Sequence, residues 1–395
     1  MSHPPSDPGA AVIHEVVGPP LTAREAGGAI AIGVVSLLLA GVMSVLLSAL
    51  ADEHRLSAQG IGLAAMTEAL IMGGVTGLCA MALKPHRLKL IAAVASVALA
   101  AADLSMLGAH GAGVFVVRGF AGVPEGVLLW ITIGMIARTE TPERWAAVLF
   151  TALTLAQFIT SVAFAAWVVP VLHANGGFAF IGLACLTGLI AAVFLPDAYA
   201  PLPDGGAGGG PPPLRGWIAL AATLIFVSAA AAVGIYVVPL AEQAGLTSGV
   251  GRFAITCSLA AQVVGGALAT MAAGRIGYFV VFVIATIASI GVFFVYGLSA
   301  PAWLFIAATA FGGLVNIFLT PFLVPMTIEA DPSRRAAVQS GAAQLFGAAL
   351  GPLLAAVVVS ERDIHGALWL GAGLLLTGLA TIAGLHFTAR RGAAG

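Results

Sequence analysis

Residues 115–130 read FVVRGFAGVPEGVLLW. The stretch is apolar enough to lie in lipid, yet it holds Arg118 and Glu125 seven residues apart. A charge at the centre of a membrane helix costs about 2.5–3.5 kcal/mol on insertion scales, so a retained one needs a partner, water or a task. Seven residues turn a helix through about 700°, almost two full turns, so both side chains look to the same side. Pro124, just before Glu125, removes a backbone donor where that charge sits.

The rest of the chain supplies the setting. Of 395 residues, 60% are hydrophobic and only 8% charged, and the mean hydropathy is +1.06. Soluble domains carry about 25% charged residues, so the chain reads as an integral membrane protein. Apolar runs recur along its whole length, each near the ~20 residues a helix needs to cross the hydrocarbon core. Only helices and closed barrels cross lipid without orphaned backbone groups, and these runs are too long and too uniformly apolar for barrel strands. The expected fold class is therefore all-α, with twelve spans at 27–50, 58–82, 90–109, 113–136, 145–169, 176–195, 217–240, 250–273, 278–298, 302–326, 337–359 and 366–387. The first run is read as a span, not a cleavable signal, because a Pro-rich tail of 26 residues precedes it.

Basic residues set the expected orientation. With both termini in the cytoplasm, twelve of the 16 Lys and Arg fall inside, Arg55, Arg252 and Arg362 fall outside, and Arg118 lies within the membrane. Trp145, Trp167, Trp217 and Trp303 stand near span ends, where aromatic belts anchor.

Residues 196–214 read PDAYAPLPDGGAGGGPPPL, a Pro/Gly-rich segment without the means to form a core. The expected organisation is a tail (1–26), a six-helix bundle (27–195), a cytoplasmic linker (196–216), a second six-helix bundle (217–387) and a tail (388–395). Shifted by 190 residues, the halves match. LADEHRLSAQGIG from Leu50 lies over LAEQAGLTSGVGR from Leu240, and TPERWAAV from Thr141 over DPSRRAAV from Asp331. Between them, FAGVPEG from Phe120 lies over FGGLVNI from Phe311 with one residue of slip, which sets Asn316 opposite Glu125. Parallel repeats of this kind build many transporters, with the site near the midplane.

On these features the chain resembles the major facilitator superfamily over nearly its full length. Arg118-x-x-x-Gly122-x-x-x-Gly126 is similar to that family's arginine motif, which is associated with proton transfer in its antiporters. The family's loop between spans 2 and 3 usually shows Gly-x-x-x-Asp-Arg-x-Gly-Arg-Arg. Here GLCAMALKPHRLK keeps Lys84, Arg87 and Lys89 but lacks the acid, and GRIGYF in the second half keeps Arg275 and Gly277. Gly347-x-x-x-Gly351-Pro352 on span 11 is similar to the core of a drug-antiporter motif that the family carries on span 5, where this chain lacks it. The same spacing also serves close helix packing in lipid.

Four ionisable residues lie well within the spans: Glu68, Asp103, Arg118 and Glu125, all in the first half. By helical rise, Asp103 and Arg118 sit at similar depth on neighbouring helices, so they are expected to pair, and Glu68 and Glu125 sit near the midplane. The resemblance implies that span 4 lines a central cavity. A carboxyl held at low dielectric binds a proton more readily than in water, so Glu125 or Glu68 is the expected proton carrier, with Arg118 biasing it. The second half offers the uncharged polar groups Tyr236, Gln262, Asn316, Gln339 and Gln344 as candidate substrate contacts.

The expected function is a secondary active transporter of a small molecule, proton-coupled and exporting lipophilic or amphipathic compounds. Two alternatives stand beside it: a permease that grips a small organic anion with Arg118, and a non-transporting scaffold or sensor. The three cysteines fall in apolar spans and the eight histidines are scattered, with no metal-ligand spacing. No nucleotide loop or nucleophile constellation is present, so neither an enzyme nor a cofactor is expected. The anticipated partners are substrate, protons and lipid, without nucleic acid, for a chain read as a monomer.

Overall fold

A computed structural model describes residues 15–203, 210–360 and 363–393. The tail before residue 15, linker residues 204–209, Glu361, Arg362 and the last two residues lie outside the described residues. Every long element among the described residues is helical. The first four spans are α1 (Ala23–Asp52), α2 (Ala58–Ala82), α3 (Leu88–Ser105) and α4 (Ala112–Ile136). An apolar helical stretch of 53 residues follows, Pro142–Phe194. Unbroken, it would run for about 80 Å, far beyond the hydrocarbon core. It is broken at His173, whose φ of 58° is non-helical. The break gives α5 (142–172, with a π-helical turn at Phe164–Val168) and α6 (174–194).

The second half contains α7 (Leu214–Gly234, followed by a short Val237–Gln243 helix), α8 (Ser248–Ala272) and α9 (Tyr278–Tyr296). Then come α10 (Ala302–Leu319, continued by Leu323–Ala330), α11 (Arg335–Val358) and α12 (Gly366–Ala393). The twelve expected spans are thus present, several of them longer than their apolar cores. The 190-residue register is visible in the helix ends: Ala58–Ala82 and Ser248–Ala272 match at both ends, and Leu88 and Tyr278 both open a helix.

Local chemistry explains the boundaries. Ser57 caps α2 by accepting a hydrogen bond from the Gly60 amide at 3.1 Å. Asp331 accepts from the amides of Ser333 and Ala336, at 3.1 and 2.8 Å, where α11 starts. Arg55, assigned to an outer loop, is buried. Its Nε donates to the Ala109 carbonyl at 3.1 Å and its Nη2 to the Met106 carbonyl, so it caps the end of α3. Glu53 accepts from the Ala174 amide at 2.8 Å, just past the His173 break.

By contacts, Val16–Arg138 and the chain from Ala152 to the linker form one compact unit, and Thr139–Thr151 with the chain from Pro211 onward form another. In the first unit α4 packs on α2 through a glycine stripe. A Cβ on Gly122 would stand 2.7 Å from the Glu68 carbonyl, and one on Gly126 would stand 2.6 Å from the Met72 carbonyl. The backbones touch because these positions lack side chains.

The linker is less free at its start than its composition implied. The Leu88 amide donates to the Asp197 carbonyl at 2.9 Å, and the Tyr199 amide to the Pro85 carbonyl at 3.0 Å. Tyr199 and Leu202 are buried, and the Arg138 guanidinium lies 5.4 Å over the Tyr199 ring. The two large side chains supply the apolar surface that the Gly and Pro residues around them lack. Burial holds the Tyr199 phenol well above its usual pKa, and its hydroxyl finds no hydrogen-bond partner among the described residues.

Two outcomes check this packing. Gly126→Leu should cost about 1–3 kcal/mol and lower the unfolding temperature in detergent, whereas Gly113→Ala, which points into open space, should leave it unchanged. Tyr199→Phe should match or exceed wild-type stability, and Tyr199→Ala should lose about 3–5 kcal/mol. A strong loss in the phenylalanine variant would mean that the hydroxyl has a partner.

Candidate functional site

The glycine stripe sets the geometry of the charges in the first unit. It brings α2 against α4 so that Glu68 meets Arg118. The guanidinium donates through Nε to one Glu68 carboxylate oxygen at 2.8 Å and through Nη2 to the other at 2.5 Å. This is the bidentate fork that gives arginine–carboxylate pairs both strength and a fixed orientation. Nη1 donates to Asp103 Oδ1 on α3 at 2.7 Å. Glu125 Oε1 stands 3.7 Å from Nη2, beyond hydrogen-bond reach, and its Oε2 has no hydrogen-bond partner among the described residues. Asp103 Oδ2 faces the Cys185 thiol on α6 at 3.5 Å.

All four ionisable groups are buried, with Arg118 fully shielded and Glu125 3% exposed. One cation faces three carboxyls, so the cluster comes nearest to neutrality when two of them hold protons. Glu68 and Asp103 accept hydrogen bonds from the guanidinium, whereas Glu125 carries the orphaned oxygen. An unpartnered polar atom in a dry site costs about 1–3 kcal/mol, and binding a proton is one way to lower the cost of a charge there.

The Arg118–Asp103 contact anticipated from depth is present. The closer partner, however, is Glu68, which was expected near the midplane with Glu125 and not as a partner of Arg118. Its signal was the facing glycine stripe: Gly122 rests on the Glu68 carbonyl itself. Nothing in the sequence pointed to Cys185. Arg118 and Glu125 do share a side, as their spacing requires. That side faces α2 and α3 inside the first unit.

The uncharged candidates divide. Gln262 and Asn316 line a cavity of about 260 Å³ within the second unit. Tyr236 does not line it and packs instead against an apolar cluster around Val233 and Leu240. Gln339 is buried with its Nε2 unpaired, and Gln344 is half-buried nearby on α11. Of the motif residues, Gly347 and Gly351 press α11 on the Leu224 and Ser228 carbonyls of α7, and Ser228 donates to the Gly347 carbonyl at 3.1 Å. Theirs is a packing role, with Pro352 one position further inside the same helix. Lys84 and Arg87 are exposed, and Arg87 holds a φ of 56° ahead of α3. Arg275, also exposed, donates to the Met271 carbonyl at 2.6 Å, and Gly277 is the extended residue before α9.

No protein-family model matches the sequence, and no curated protein sequence matches it. Solved structures do. The human organic anion transporter MFSD10 (TETRAN) superposes with a TM-score of 0.72 at 14% identity, covering 92% of this chain and all of that one. FucP, a major facilitator superfamily transporter in the outward conformation, gives 0.74 at 12% identity, covering 91% and 98%. The chain has the major facilitator fold. At such identity the likeness fixes the architecture, and the chemistry of this chain has to come from its own residues.

Two substitutions separate the roles within the cluster. Glu68→Ala, which strips the fork from a buried guanidinium, should cost about 3–5 kcal/mol. Glu125→Gln should change stability by less than about 1 kcal/mol, because Glu125 accepts no hydrogen bond from Arg118. Thermal unfolding in one detergent reads both, and equal losses would contradict this geometry.

Proposed function

We propose that the protein is a secondary active transporter of a small molecule that works by alternating access and is coupled to protons. The fold supports the transport class, since two transporters of this architecture superpose over nearly its whole length. Coupling rests on one observation: a fully buried guanidinium shared by three carboxyls, one of which keeps an unpaired oxygen. In this reading Glu125 takes up and releases the proton. Arg118 stays bonded to Glu68 and Asp103, so one proton taken up or released by Glu125 changes the net charge of the cluster by one at each cycle. A group that alters the cluster's charge also alters how readily the bundle can rearrange in lipid.

The mainly apolar lining of the second-unit cavity supports an amphipathic load, and we take proton-driven export as the direction of transport. The permease reading, in which Arg118 grips an organic anion, is less favoured because Glu68 and Asp103 already hold the guanidinium and it is fully shielded. We place both termini in the cytoplasm, as the distribution of basic residues requires.

Proteoliposomes loaded with a pH dye test the proposal against a panel of small amphipathic compounds. Wild type should give a compound-dependent pH change, and Glu125→Gln should reduce it at least tenfold while counterflow of the same compound persists. A pH change that survives in Glu125→Gln would move the proton elsewhere. Absence of both flux and counterflow for every compound would favour a non-transporting scaffold.

A further inference from the structure

The internal repeat relates the charge cluster of the first unit to the cavity of the second. At 190 residues' offset Glu68 corresponds to Ser258 and Asp103 to Phe293. In α10, where the alignment slips by one, Arg118 corresponds to Thr309 and Glu125 to Asn316. The slip is structural as well as textual: a Cβ on Gly122 would meet the Glu68 carbonyl at 2.7 Å, and one on Gly313 would meet the Ser258 carbonyl at the same 2.7 Å. All four counterparts line the 260 Å³ cavity. Where one unit fills this place with four ionisable side chains, the other leaves it vacant behind neutral ones, of which Ser258, Thr309 and Asn316 are smaller than their counterparts.

The lining defines what the space can accept. None of its residues is charged, so an ion would enter without a counter-charge and lose its hydration, at a cost of many kcal/mol. Phe226 and Phe293 offer aromatic walls. Thr309 and Tyr296 satisfy each other, with the tyrosine hydroxyl donating at 3.1 Å. Ser258, Gln262 and Asn316 make no side-chain hydrogen bond among the described residues, and they stand on α8 and α10, which pack together. Two primary amides and a hydroxyl, which both donate and accept, therefore look into a space with an apolar wall.

We propose that this cavity is the substrate site and that the substrate is a small uncharged molecule with an apolar face and an amide- or hydroxyl-type polar edge. The assignment builds on the transporter reading for its meaning, yet binding alone can test it. Neutral cargo also fits the division between the units, since only the first unit's carboxyls would carry charge through the cycle.

The test uses the full chain in nanodiscs with three matched probes, benzamide, benzoate and benzylammonium, and ligand-observed NMR with competition. Benzamide should bind at least about tenfold more tightly than either charged isostere, and Asn316→Leu and Gln262→Leu should each weaken it at least about fivefold, near one lost hydrogen bond. Asn316→Asp should shift the preference toward benzylammonium at unchanged unfolding temperature, which shows that the folded pocket and not global stability is being read. Equal or tighter binding of a charged probe, binding insensitive to Asn316 and Gln262, or no binding of benzamide would each overturn the proposal. Benzamide binding of the expected kind without any pH change in proteoliposomes would keep this site and defeat the proton-coupled reading instead.

Discussion

The bidentate contact between Arg118 and Glu68 is the interaction on which the first unit depends. A guanidinium cannot shed its charge, so an arginine within lipid must be answered by carboxylates and hydrogen bonds. Glu68 can answer only if α2 and α4 approach backbone to backbone, and they do so because Gly122 and Gly126 present no Cβ. Thr76 fastens the same seam by donating to the Gly126 carbonyl at 3.1 Å. Asp103 then ties α3 to the same guanidinium. Three helices thus share one cation, and Glu125 is the carboxyl that the guanidinium does not hydrogen-bond.

The repeat allowed the two units to diverge at one shared place. Duplicated bundles begin with the same helix lengths and contacts, and α2 on α4 is matched by α8 on α10. Replacing long ionised side chains with Ser258, Thr309 and Asn316 removes both charge and volume. Phe293, in place of Asp103, supplies an apolar wall. A close-packed interior does not refill such a space by itself, so the substitution leaves a cavity. The buried charges and the uncharged cavity are thereby separated onto different bundles.

The ends of the units show how loops are held by few, well-chosen contacts. Arg55 and Glu53, close together between α1 and α2, reach the end of α3 and the start of α6. On the linker side Tyr199 brings the linker's first residues onto the Pro85 turn and under Arg138. Composition had marked this whole segment as unstructured. Two large side chains in a Gly/Pro stretch are enough to dock its beginning, because each buries considerable apolar area for little conformational cost in a chain already stiffened by proline.

The sequence by itself determined the membrane setting, the twelve spans, the repeat and the identity of the four ionisable groups of the first-unit cluster. Each follows from one-dimensional quantities: run length against bilayer thickness, register between halves and the cost of charge in lipid. It also placed Arg118 near Asp103, because helices joined by a short loop are neighbours. Only the tertiary structure decided that Glu68 is the principal partner, that the charged side of α4 faces into the bundle, that Cys185 meets Asp103, and that Tyr236 stands away from the cavity lined by Gln262 and Asn316. Those outcomes depend on which helices touch and how closely. In an all-apolar helix nearly every face is suited to lipid or protein alike, so hydropathy carries no record of the choice. Shape complementarity between small residues and a facing backbone makes that choice, and it exists only once the helices are assembled.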